Sequence, residues 1–154
     1  LWLPVTGFIS PQTVFLAPDP DTTITDPSTT LLPLAVSTYD AENGSLYLHS
    51  SRGYTRSKEI KPDLAAPGVR VSAVNKNGNL TAVTGSSAAA AITAGAAALL
   101  INWRLNGKPR HLMTSSELKN FLIRGAGRSR DLTYPNRSWG YGTLNVYGVF
   151  ESLL

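Results

Sequence analysis

Thr84-Gly85-Ser86-Ser87-Ala88-Ala89-Ala90-Ala91-Ile92-Thr93-Ala94-Gly95-Ala96 joins a glycine-serine turn directly to a run of small apolar residues. The run reads as a helix, because alanine loses no side-chain rotamer freedom on becoming helical. Asn106-Gly107 with Pro109 beyond supplies the chemistry of a helix stop, so the predicted helix covers about 87–105. Serine hydroxyls therefore stand at a helix N-terminus, where the first N–H groups lack partners and the macrodipole is positive. A developing oxyanion is stabilised in such a place. Serine is also among the commonest N-cap residues, so this stretch by itself reads first as a routine helix start.

Working outward, residues 69–74 and 80–83 are short and β-branched, and they flank Asn75-Lys76-Asn77-Gly78-Asn79, a hairpin-like turn. Residues 31–39 and 45–48 form a second β-prone pair around Asp40-Ala41-Glu42-Asn43-Gly44, whose Asn-Gly predicts a hairpin of adjacent strands. Thr114-Ser115-Ser116-Glu117 has the pattern of a capping box, followed by Leu118, Phe121 and Leu122 at helical spacing and then Gly125. A last helix over residues 145–154 turns Val146, Val149, Phe150 and Leu153 inward. Residues 1–8 have the apolar content of a strand, and residues 10–30, rich in Pro, Asp and Thr, read as loop with short extended pieces. Two units result: residues 1–21 as the return from a preceding or inserted module, and residues 22–154 as the main fold.

The chain has 154 residues, an ordinary domain size that can bury a sizeable core. A hydrophobic fraction of 42% with only 16% charged residues gives no sign of disorder, and thirteen glycines with ten prolines predict many turns. The absence of cysteine excludes a disulfide framework, a zinc-thiolate site and a thiol nucleophile. The formal charge of +4, with Arg124, Arg128, Arg130 and Arg137 close together, comes with no nucleic-acid motif and no interleaved aromatics, so it reads as a solvated basic surface. Residues 80–103 are uncharged and long enough for a membrane span, but Gly85, Gly95 and many small residues favour a helix buried in a globular fold.

Upstream of the serine turn stands Lys61-Pro62-Asp63-Leu64-Ala65-Ala66-Pro67-Gly68, preceded by Leu34-Ala35-Val36-Ser37-Thr38-Tyr39-Asp40 and by Ser50-Ser51-Arg52-Gly53. Near the end stands Gly140-Tyr141-Gly142-Thr143-Leu144-Asn145-Val146. In this order and spacing the motifs resemble those of the subtilisin-like serine proteases, over roughly residues 22–150. Phe15-Leu16-Ala17-Pro18-Asp19-Pro20, Tyr134-Pro135-Asn136-Arg137 and Ala91-Ile92-Thr93-Ala94-Gly95 look more like the clostridial branch, which includes spore-germination proteases. The implied fold class is α/β: the C-terminal portion of a three-layer fold with a mostly parallel sheet and a central buried helix.

The resemblance implies Ser87 as nucleophile, being the third residue of the family's Gly-Thr-Ser turn, with Ser86, Gly85 and Thr84 beside the oxyanion and substrate. Ser86 stands where the family has Thr, which keeps a hydroxyl but removes a methyl that restricts the rotamer. Only two histidines exist, His49 and His111, and neither has the Gly-rich surroundings of the family's general base. The chain, beginning Leu1-Trp2-Leu3-Pro4, is expected to be the C-terminal half of a longer enzyme, inactive without the half that carries Asp and His. An exposed sheet edge and uncovered apolar surface are expected in the piece alone. The segment 21–26 is similar to one that lines the family's primary specificity pocket, which implies Asp21 or Thr22 as an influence on the side chain accepted, the alternative being a loop held by Asx turns and caps. Asp63 is implied as a holder of backbone N–H groups in its own loop, and Arg52 is read as the partner of a nearby carboxylate or carbonyl.

Two functional classes follow. One is a serine endopeptidase acting on protein or peptide substrates; the other is a catalytically silent relative used for binding or scaffolding. No cofactor is evident; structural calcium is possible only by analogy with the family, because the sequence has no acidic cluster with ligand spacing. Neither a nucleic-acid partner nor a membrane span is expected, and secretion or a place on the spore or cell envelope is implied by analogy alone.

Overall fold

The computed structural model describes residues 7–107 and 112–153. Four short strands and three helices follow one another: β1 (Val36–Tyr39), β2 (Leu64–Pro67), β3 (Val71–Val74), β4 (Leu80–Val83), α1 (Ser86–Asn106), α2 (Ser115–Arg124) and α3 (Val146–Glu151). β1 and β2 pair in parallel, from Val36 opposite Leu64 to Tyr39 opposite Pro67. The closing motif flanks β2 on its other side: the Ala65 N–H donates to the Gly142 carbonyl at 2.9 Å and the Leu144 N–H to the Ala65 carbonyl at 2.8 Å. β2 is thus the central strand, and being covered on both sides it reads as an unbroken buried run, Leu64-Ala65-Ala66. β3 and β4 form a separate antiparallel ribbon around the turn predicted for residues 75–79.

Helix α1 lies across β1 and β2, α2 packs on α1, and α3 packs on α2. Their meeting point is a core of Leu64, Leu100, Leu122, Ala126 and Val149, with Val36, Phe121, Leu144 and Phe150 packed around it. The capping box is formed as the sequence predicts: Thr114 Oγ1 accepts from the Glu117 N–H, and the Glu117 carboxylate accepts from the Thr114 N–H at 2.8 Å. α3 starts at Asn145, whose side chain accepts from the Gly148 N–H, and it buries Val149.

Three sequence expectations are modified. α1 is covered along one stripe only, Ala89, Thr93, Ala96 and Leu100, while Leu99 is 58% exposed and Gly95 faces open space. The small side chains permit close approach on the covered stripe; the opposite face has nothing from this chain against it among the described residues. β1 begins at Val36 rather than at residue 31, since Leu31 and Leu32 are exposed. Residues 45–48 reverse direction as predicted, with the Asp40 N–H donating to the Ser45 carbonyl, yet form one bridge, Leu46 with Tyr39, instead of a strand. Residues 7–20 carry turns and no strand and are almost wholly exposed; the strand expected over residues 1–8 falls largely outside the described residues.

Candidate active site

The serine turn hangs from the sheet by a short ladder of backbone bonds. The Gly68 N–H donates to the Tyr39 carbonyl at 3.0 Å, and the Gly85 N–H donates to the Gly68 carbonyl at 2.8 Å. The Arg70 N–H donates to Thr84 Oγ1 at 2.9 Å, so Thr84 closes the same turn from the side. Gly85 is the N-cap of α1, with φ 152° and ψ 165°, a region open essentially to glycine alone. A Cβ there would meet nothing nearer than the Ser87 nitrogen at 4.0 Å, so conformation rather than crowding requires the glycine. Gly68 is the opposite case: a Cβ would stand 2.5 Å from Thr38 Cγ2 and 2.8 Å from the Gly85 carbonyl oxygen.

Ser86 and Ser87 are therefore the first and second residues of α1, not its cap, and no side chain caps the helix. Both are exposed. Their hydroxyls are spared the capping role that the sequence allowed, and their N–H groups are among those without an intrahelical acceptor. A reacting carbonyl placed here would find a hydroxyl and positively polarised N–H groups together.

Ser86 also helps to wall a cavity of about 160 Å³, opposite Ile24, Thr25, Pro62 and His49. A larger cavity of about 500 Å³ shares Ile24 and Thr25 and extends to Asp26 and Arg56. Asp26 accepts a hydrogen bond from Thr29 Oγ1. Asp21, expected near a specificity pocket, instead pairs with Arg137 at 2.6 Å, and it lines a third cavity with Thr22 and Arg56 that Ser86 does not touch. Ile24 and Thr25 fall within the segment 21–26 that the resemblance implied beside the specificity pocket, whereas His49 was not expected in the lining; folding alone brings it to Ser86, and no local signal marks it.

Asp63 departs from its expected role. Its Oδ2 accepts from the Ala35 N–H at 2.7 Å, outside its own loop, and from Lys61 Nζ at 2.8 Å, while Lys119 Nζ lies 3.2 Å from Oδ1. Lys61 and Lys119 also donate to the Pro33 carbonyl, at 2.8 and 3.3 Å. Burial pushes the Lys61 ammonium below its ordinary value, against the opposing pull of Asp63. The cluster clamps the approach to β1 onto β2 and α2. Arg52 serves through its backbone: its N–H donates to Thr23 Oγ1 and its carbonyl accepts from the Thr23 N–H, both at 2.9 Å. Two members of the basic group are likewise structural, Arg128 donating to the Tyr141 and Ile123 carbonyls and Arg137 lying over the Tyr54 ring.

The sequence profile of the subtilase family matches residues 17–142. The chain belongs to the subtilase family. No curated protein sequence matches it. Among solved structures, this subtilase chain is similar to the CspB protease of Clostridium perfringens, at 32% identity over 92% of this chain and with a TM-score of 0.85. It is also similar to the prenylagaramide maturation protease PagA, at 26% identity, 88% coverage and a TM-score of 0.69. The patellamide maturation protease PatA, 24% identical over 87% of the chain with a TM-score of 0.69, shares the fold. The chain spans 31% of the CspB protease structure, 48% of the PagA one and 47% of the PatA one.

These matches account for α1, which is long and apolar enough to cross a membrane by length and composition but here packs on a parallel sheet. They also make coincidence untenable as the source of the motif spacings. Among the described residues no group of three or more His, Asp or Glu side chains gathers in a way that fits a metal ion. His111 lies outside the described residues.

Proposed function

We propose that this chain carries the nucleophilic part of a serine endopeptidase and that Ser87 is the nucleophile. The carrying observation is the turn itself: Gly85 caps α1 in a glycine-only conformation, leaving the Ser87 hydroxyl exposed and uncommitted at the helix start in a chain of the subtilase family. Ser87 Oγ attacks the peptide carbonyl as a general base removes its proton; the oxyanion is met by the Ser87 N–H, and the amine leaves with the proton returned by the base. Water then repeats the sequence to release the acid. Loss of one oxyanion donor typically costs roughly 3–4 kcal/mol of transition-state stabilisation. Ser86, Gly85 and Thr84 shape the turn and the adjoining substrate path.

The base comes from a part of the protein other than this chain. His49 packs against Tyr47 and, among the described residues, is hydrogen-bonded to no carboxylate that would orient it. The uncovered face of α1, where Leu99 is 58% exposed and Gly95 faces open space, supports a further portion of the catalytic domain docking there. On this reading the 154 residues are inactive alone. Fluorophosphonate labelling, located by mass spectrometry, tests it: Ser87 is labelled in the full-length protein and not in this chain, and Ser87→Ala abolishes the signal. No labelling of the folded full-length protein would move the reading to a silent family member that binds without cleaving.

A further inference from the structure

We infer that His49 is a specificity-determining residue, recognising an acidic substrate side chain in the cavity beside Ser86. The inference rests on Ser87 being the nucleophile, which sets that cavity next to the scissile bond. Ser86 and His49 both line it, and at about 160 Å³ it is smaller than the pockets that hold drug-sized ligands. Its size suits one short side chain. Among the described residues His49 is the only ionisable one in the lining; the remainder are aliphatic groups such as Ile24 and Pro62 and hydroxyls such as Ser51 and Ser86. A carboxylate placed there accepts from the imidazole N–H and from a neighbouring hydroxyl such as that of Ser86, whereas an apolar guest offers them no acceptor.

The imidazole is also held in place. Tyr47 packs edge-on against it with ring centroids 5.3 Å apart. The segment on either side is pinned to β1: the Tyr47 N–H donates to the Thr38 carbonyl, and the Thr38 N–H donates to Ser50 Oγ, each at 2.9 Å. His49 remains exposed, so a ligand arriving from solvent reaches it without displacing a partner. Tyr47 packs on it, and among the described residues no charged side chain shares the cavity.

The test uses the full-length protein with Ser87→Ala, which binds without turnover, and fluorescein-labelled peptides in which a single Asp, or Asn in the matched set, is walked along an otherwise neutral sequence. Anisotropy titration gives the Asp-over-Asn affinity ratio. At one peptide position the ratio is expected to reach about three- to five-fold, the scale of an exposed ion pair. His49→Gln, which replaces the imidazole, is expected to bring the ratio towards unity. A preference that His49→Gln leaves unchanged, or no preference at any position, overturns the inference. Fluorophosphonate labelling of the Ser87-containing protein is run beside it: an intact His49-dependent preference without labelling sinks the protease reading alone, and labelling without the preference sinks the subsite alone.

Discussion

Lys61 Nζ lies 2.8 Å from Asp63 Oδ2, with the two side chains only 2% and 5% exposed, and a second ammonium, that of Lys119, approaches the other carboxylate oxygen at 3.2 Å. One buried carboxylate thus ties together three elements: the Ala35 N–H at the foot of β1, the loop entering β2, and α2. Burying such charges is costly, and the arrangement holds because each carboxylate oxygen faces an ammonium.

Removing one member should therefore be severe. Asp63→Leu leaves Lys61 buried without its counter-ion, and breaking a buried pair from one side typically costs about 3–5 kcal/mol. Urea unfolding followed by circular dichroism should show that loss, while the double variant Lys61→Met with Asp63→Leu should recover a large part of it. Equal losses in the two variants would mean that the pair is not the source of the effect.

Alkaline pH should act in a defined direction. Burial lowers the Lys61 pKa below its ordinary 10.5, so the unfolded chain binds that proton more tightly than the folded one. Between the lowered folded value and 10.5 the Lys61 contribution to stability rises with pH. Urea midpoints of the natural chain minus those of Lys61→Met should therefore increase as pH approaches 10.5 from below. A falling difference would contradict burial as the dominant cause.

Gly85→Ala and Gly68→Ala should fail differently. At Gly85 the space is open and only the backbone objects, a strain of order 1–3 kcal/mol. At Gly68 the new Cβ meets the Gly85 carbonyl oxygen at 2.8 Å and must move the cap itself. In the full-length protein both should slow fluorophosphonate labelling of Ser87. Only Gly68→Ala should also disturb the strand end, seen as faster amide exchange at residue 68 and at Gly85. Unchanged labelling in both would separate the turn from the chemistry.

Thr114→Ala should weaken α2 locally. It removes the hydroxyl that accepts from the Glu117 N–H, a loss of typically about 1 kcal/mol. Amide exchange of residues 115–118 should quicken while that of β1 and β2 stays put; a uniform change along the chain would show that the cap acts globally.

How far the sequence could be read depended on distance along the chain. The turn at residues 75–79, the capping box at Thr114 and the stop of α1 at Asn106 and Gly107 are settled within a few residues, by backbone conformation and cap chemistry, and each stands where the residues place it. The beginning of β1 was not legible, because Leu31 and Leu32 are as β-prone as Val36 and differ only in lacking cover. Nor was the strand at residues 45–48, which has a good turn before it but pairs only through Leu46.

The sequence by itself determined the serine turn, its glycine, the helix behind it and the family those motifs announce, since all of these follow from local backbone and cap preferences at fixed spacing. Only the tertiary structure decided that Asp63 reaches Ala35 and Lys119 rather than its own loop, that Asp21 turns to Arg137, and that His49 shares a cavity with Ser86. Those pairings join residues far apart in the chain and arise as β1 closes onto β2 and the helices pack over them; at the buried Asp63 an unpaired charge would also be too costly to leave.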